Sequence, residues 1–246
     1  MPDPDRRPAF YAAALETHGW NDWWTVLHPP YTAWHLSYVV IGACLAPHVD
    51  ALRLTASVLA FFAAVGIAAH ALDELHGHPL RTRIADRALI AATGVGLLVA
   101  VALGIAGVFQ VGPVLIPFIL IGPFLVLAYN LELFGGRLHT DIAFAVSWGA
   151  FPLLTGYVAQ AGRLEFPAVV AAVAAVGFSL AQRSLSTPAR ALRRRVVRVD
   201  GAVVMEDGTV RRLHQGVLLE PLEHALRALS WSMVALALAL VGARLV

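Results

Sequence analysis

Apolar positions in this chain run on without alternating. Seven stretches carry few charges: Tyr31–Pro47, Ala51–Leu72, Ala88–Phe109, Val111–Phe134, Ile142–Ala161, Leu164–Ala181 and Ala225–Arg244. A helix needs about 20 such residues to cross a hydrocarbon core of about 30 Å. In lipid every backbone polar group needs an internal partner, which leaves a helix bundle or a closed barrel. The unbroken runs decide for helices, so the pattern predicts an all-α, polytopic transmembrane bundle of about seven spans. Pro113, Pro117 and Pro123 in the fourth run predict a bent helix. Gly94, Gly96, Gly104 and Gly107 in the third predict close contact between helices.

Polar stretches divide the rest. Residues 1–30 read as an N-terminal interfacial segment, with a helix over Pro8–Leu27 that ends at Pro29-Pro30. Trp20, Trp23, Trp24 and Trp34 suit the membrane–water boundary, where an indole ring sits half wet. A transmembrane bundle at 31–186 is followed by a polar insert at 187–222 and a final helix at 223–246. In the insert, Asp200-Gly201 and Asp207-Gly208 separate Val196–Val199, Ala202–Glu206 and Thr209–Leu213. Asp-Gly between short β-branched runs is a hairpin signal, and the spacing predicts a small three-stranded meander outside the bilayer.

Composition sharpens this picture. The chain is 59% hydrophobic and 14% charged, against about 25% charged in soluble domains. The formal charge is only +2, so nothing points to nucleic acid, and the expected partner is a membrane lipid or isoprenoid. The single cysteine, Cys44, excludes an intramolecular disulfide. The first 30 residues lack a charged-then-apolar pattern, so no cleaved signal peptide is expected. Arginine is distributed unevenly. With seven spans, Arg6, Arg7, Arg81, Arg83, Arg87, Arg137 and the arginines of 190–212 fall on one side. Arg53, Arg163 and Arg244 fall on the other. The positive-inside rule then predicts a cell-membrane protein with its N-terminus in the cytoplasm and its C-terminus outside.

Candidate chemistry gathers at that arginine-rich face. The second span closes on His70, Asp73, Glu74, His76 and His78. His70, Asp73 and Glu74 fall on one helical face at spacings of three and four. Gly77 and Pro79 then let His78 fold back. Such a set could hold a divalent cation: magnesium if oxygens dominate, zinc or iron if imidazoles do. The plain alternative is a solvated helix end. A second cluster holds Asn130, Glu132, Arg137, His139 and Asp141, and a third holds Gln182, Arg183, Ser184 and Ser186. His35 reads either as a member of the site or as a packed core histidine. His48, His214 and His224 read as surface residues.

These positions resemble the UbiA-type superfamily of intramembrane prenyltransferases. Pro29-Pro30-Tyr31-Thr32-Ala33-Trp34 looks like that family's entry to its first helix. His70, Glu74 and His78 fall where its first Asp-rich motif has an Asn and two Asp. Tyr129, Asp141, Gly149, Gly156 and Tyr157 resemble its fourth and fifth helices. The likeness covers about residues 29–185. It implies magnesium-assisted ionisation of a prenyl diphosphate at the cytoplasmic face, followed by transfer or cyclisation. The family's second acidic motif is replaced here by Ser179–Ser186, which contains no acid. Within the resemblance, Asp73, Glu74 and Asp141 would hold one magnesium. Arg183 with Arg81 or Arg137 would clamp the diphosphate in place of a second metal. His35, Asn130, Glu132 and His139 complete the substrate-binding set. Two other functions fit the residues: a zinc- or iron-dependent lipid enzyme using His70, Glu74, His76, His78 and His139, or a non-catalytic lipid-binding scaffold.

Overall fold

The computed structural model describes residues 9, 11, 12 and 19–245. Among the described residues six helices are long and apolar enough to cross a membrane: α3 (Ala51–Leu75), α4 (Asp86–Val111), α5 (Pro113–Asn130), α6 (Asp141–Ala161), α7 (Phe166–Arg194) and α8 (Gln215–Leu245). They follow α1 (Trp20–Leu27) and α2 (Pro29–Leu45). The span expected at Tyr31–Pro47 is α2, whose 17 residues lie at the short edge of what spans a bilayer. The count by length and composition is therefore six, where the sequence pattern gave seven. Leu98, Phe109, Leu120, Val173 and Leu238 point outward from the bundle, each more than half exposed. An apolar surface of this kind is normal against lipid and costly against water.

Glycine sets the tightest approach, at the contact between α2 and α6. A Cβ on Gly156 would lie 2.2 Å from the Val39 carbonyl oxygen, and one on Gly42 would lie 1.9 Å from that of Leu153. Backbone meets backbone here, so only glycine fits. Of the glycines expected to permit contact in α4, Gly96 does so against the Ala63 carbonyl, and Gly104 and Gly107 against Ile119 and Leu115. Gly94 faces open space. Pro113 and Pro117 fall in the opening turns of α5, where a missing N–H costs nothing. Pro123 alone of the three lies inside the helix.

Several boundaries differ from the sequence pattern. The helix expected over Pro8–Leu27 is described only as α1, and most of its first half lies outside the described residues. Trp20 and Trp24 are exposed as an interfacial role requires, whereas Trp34 is buried in the core against Tyr38 and Leu153. Helix α5 stops at Asn130, and Glu132 and Phe134 take left-handed backbone in the turn that follows. Helix α7 continues past Ala181 to Arg194 through Pro188, so the start of the expected insert is helical. Its end is helical too, because α8 begins at Gln215. Between them, β1 (Gly201–Val204) pairs with β2 (Val210–Leu213), with Val204 opposite Val210. The hairpin has two strands, not three. Asp207-Gly208 turns it, with Gly208 at φ +81. Asp200-Gly201 joins no third strand, because Val196–Val199 forms no ladder.

Helices α3 and α6 each contain a π-helical stretch, Phe62–Ala69 and Val146–Ala150. An extra residue per turn re-aims the side chains beyond it, and such stretches recur at functional sites. Here they place Val65 and Trp148 where two cavities meet.

Candidate functional site: a cationic vestibule against an apolar chamber

A cavity of about 190 Å³ opens at the end of the bundle where α2 begins and α3, α5 and α7 finish. Helix α7 supplies its cationic wall. Arg183, Arg190, Arg193 and Arg194 line it, together with Gln182 and Ser186. Spacings of seven, three and one along a helix keep these side chains on one broad face. His28, Tyr31 and His35 come from the start of α2, His70 and Asp73 from the end of α3, Asn130 from the end of α5, and His139 from the turn before α6.

Local backbone geometry explains His28. It takes left-handed φ and ψ between α1 and α2, where Pro29-Pro30 opens the next helix. Its ring stacks on His70 at 4.5 Å between centroids. Burial pushes the His28 imidazole down to about 4, the Val26 carbonyl opposes that, and Arg194 and Arg190 add to the depression. His28 is therefore neutral at pH 7 and brings no charge to the vestibule.

Two of the four arginines are already paired. Arg183 donates from two nitrogens to one Asp141 oxygen, at 2.8 and 2.7 Å, and its guanidinium lies over the Phe144 ring. Arg193 is bonded to Glu223. Arg190 and Arg194 form no ion pair among the described residues, and the buried Nε of Arg194 has no hydrogen-bond partner there. Asp73 is the vestibule's other carboxylate. The wall thus holds surplus positive charge along one side of a cleft, and clustered guanidinium groups of this kind suit phosphate.

The sequence-selected residues divide between this cavity and other tasks. His35, His70, Asp73, Asn130, His139 and Arg183 line it. His35 is both buried core and site, since its Nδ1 meets the Trp148 carbonyl at 2.8 Å. Glu74 does not share the cavity with Asp73. It is fully buried, and its carboxylate accepts from Leu80 N at 2.9 Å, Thr82 N at 3.0 Å and Thr82 Oγ1 at 2.7 Å. Both oxygens therefore fasten the loop after α3. His78 lies 3.4 Å from Glu74 and 2.9 Å from Asp86. Asp141 is held by Arg183, while Glu132, Arg137 and Arg81 stand outside the cavity. Glu132 is 3.9 Å from His139.

The expected magnesium set of His70, Asp73, Glu74 and His78 does not converge, because Glu74 and His78 face the loop and Asp73 faces the cavity. Among the described residues no three His, Cys, Asp or Glu side chains gather as a metal-ligating group, the wider histidine set included. Sequence reasoning missed His28 and Glu223, and treated Arg190, Arg193 and Arg194 only as topology signals. The available clue was their helical spacing from Arg183. It was obscured because hydropathy falls at Ala181 and the helix does not.

Beyond Val65 and Trp148 lies a second cavity, of about 140 Å³, whose wall is almost wholly apolar. Phe61, Leu115, Phe118, Val126 and Phe151 line it, and Arg53 and Gln110 stand at its far end. A polar vestibule thus abuts an apolar chamber inside a membrane-spanning helical bundle, which defines the class of this protein. No known protein family, curated protein or solved structure matches the chain.

Proposed function

We propose that this protein is a UbiA-like integral membrane enzyme that takes a prenyl diphosphate, or a related phosphorylated isoprenoid, at the cytoplasmic face for transfer or cyclisation. One observation carries the reading: four arginines of α7 line a vestibule that shares Val65 and Trp148 with an apolar chamber. A diphosphate head fits the first compartment and a hydrocarbon chain fits the second. Helix α2 counts as a seventh span in this reading, since His28 and Tyr31 line the vestibule while Cys44, near its other end, accepts a bond from Arg244.

The chemistry is heterolysis of the bond between the prenyl carbon and its oxygen. The electron pair leaves with the diphosphate, so the cost is set by how well that developing charge is stabilised. Arg190 and Arg194 supply it directly, and Arg183, positioned by Asp141 and Phe144, supplies it from the side. Asp73 is the one vestibule carboxylate placed to share a magnesium brought in with the substrate. The apolar wall beyond Trp148 keeps water from the carbocation.

The test is binding of geranylgeranyl diphosphate to detergent-solubilised protein, with geranylgeraniol and inorganic diphosphate as comparisons. Geranylgeranyl diphosphate should bind most tightly. Arg190→Gln should weaken it about tenfold, the value of one charge-assisted hydrogen bond, and Asp73→Asn should reduce only the magnesium-dependent part. Equal binding of the alcohol and the diphosphate would overturn the assignment. Binding without release of inorganic diphosphate, across acceptors, would favour a lipid-binding role instead.

A further inference from the structure

The chamber's far end carries a cation that the vestibule does not explain. Arg53 lies in the first turn of α3, where the helix dipole disfavours positive charge. Among the described residues no carboxylate forms an ion pair with it. Its two terminal nitrogens point to the Gln160 and Gln110 carbonyls, at 3.4 and 3.2 Å, near the ends of α6 and α4. Those contacts fix the plane of the guanidinium. Its buried Nε has no hydrogen-bond partner among the described residues, and the Arg53 side chain lines the apolar cavity. Gln160 is itself held by Asp50, through Asp50 N to Oε1 at 2.8 Å, so the support of this cation is rigid.

We propose that the chamber is a binding site for a single-chain amphiphile with an anionic head, such as a fatty carboxylate. Arg53 holds the head, and the chain runs along α3 toward Val65 and Trp148. A guanidinium offers five donors in a planar fork; each terminal nitrogen gives one of its two donors to a carbonyl, and the others remain for a carboxylate or phosphate. From Arg53 to Val65 the helix rises about 18 Å, along a wall of Ala56, Ala60 and Ala64 whose small side chains leave the space open. The inference does not rest on the reading of the vestibule. If both sites are used, their ligands compete for the space beside Trp148, and an outer-face amphiphile then opposes entry of a chain from the other end.

The experiment measures saturable binding of radiolabelled dodecanoate to the full chain in phosphatidylcholine nanodiscs, with empty nanodiscs as background and dodecanol and dodecylamine as competitors. Dodecanoate should bind near one per protein. Dodecanol should compete about tenfold less well and dodecylamine not at all, and Arg53→Gln should erase the preference for dodecanoate over dodecanol. Ala64→Phe on α3 and Ala100→Phe on α4 each fill the chamber and should abolish binding while Arg53 is intact. Three results overturn the proposal: no saturable dodecanoate binding, equal competition by the alcohol, or wild-type binding in a folded chamber-filling variant. The last would mean that Arg53 captures a headgroup at the bilayer surface and no chain enters. If neither filling variant folds, the comparison of dodecanoate with dodecanol in wild type and Arg53→Gln still decides.

Discussion

Glu74 illustrates how a single carboxylate can look catalytic in sequence and act structurally. Its three donors come from Leu80 and Thr82, so the carboxylate closes the loop that leads to α4. A buried donor that loses its acceptor costs about 1–3 kcal/mol. Glu74→Gln keeps the size and one oxygen but puts an amide donor where an acceptor stood. It should destabilise the protein by about that amount in the absence of any metal and speed amide exchange at Leu80 and Thr82. Unchanged metal-free stability, with unchanged exchange at both amides, would rule out the loop-fastening role. Asp73, one residue earlier, points to the cavity and remains available to a ligand. A rotation of about 100° between neighbouring helix positions separates the two fates.

At the scale of elements, the contact between α2 and α6 is the part of the bundle least tolerant of change. Gly42 and Gly156 let the two backbones touch, and any Cβ there would meet a carbonyl that cannot step aside. Gly156→Ala should lower stability by at least about 1–3 kcal/mol, the usual cost of overpacking, as measured by helicity lost on titration with a denaturing detergent. Gly94→Ala is the control, because its Cβ meets nothing within 4 Å, and it should leave stability unchanged or raise it slightly. Equal loss in both variants would show that the close contact at Gly156 does not govern the result. The glycine and alanine pattern announced that some close contacts exist. It did not say which helix each glycine meets, since that depends on the rotation of each helix against its neighbours.

For the whole molecule, the two ends of the bundle differ in charge. Arg53 reaches Gln110 and Gln160, and Arg244 reaches Cys44, so these arginines share one end. The vestibule end carries Arg183, Arg190, Arg193 and Arg194, together with the hairpin between α7 and α8. From this asymmetry the positive-inside rule predicts a vestibule that faces the cytoplasm. A reporter active only outside the cytoplasm should give signal when fused after Val246 and none when inserted at Asp207. The reverse pattern would invert the topology and move the vestibule to the outer face.

Sequence alone determined that this is a helical membrane protein, because lipid admits only helices and closed barrels and unbroken apolar runs do not alternate as barrel strands do. It also located the hairpin turn at Asp207-Gly208, since left-handed backbone at Gly208 is a local property of the residue. Its candidate set held His35, His70, Asp73, Asn130, His139 and Arg183, which line the vestibule, together with Glu74, His78, Arg81, Glu132, Arg137 and Asp141, which do not. Tertiary structure decided the rest. The extent of α7 was hidden because a polar helix end that packs on the bundle looks like a loop to hydropathy. The position of Trp34 and the roles of Glu74 and Asp141 depend on partners far away in sequence or on which way a helix turn faces. The junction of vestibule and chamber falls at Val65 and Trp148, each inside a π-helical stretch of a separate helix, and no sequence motif announces it.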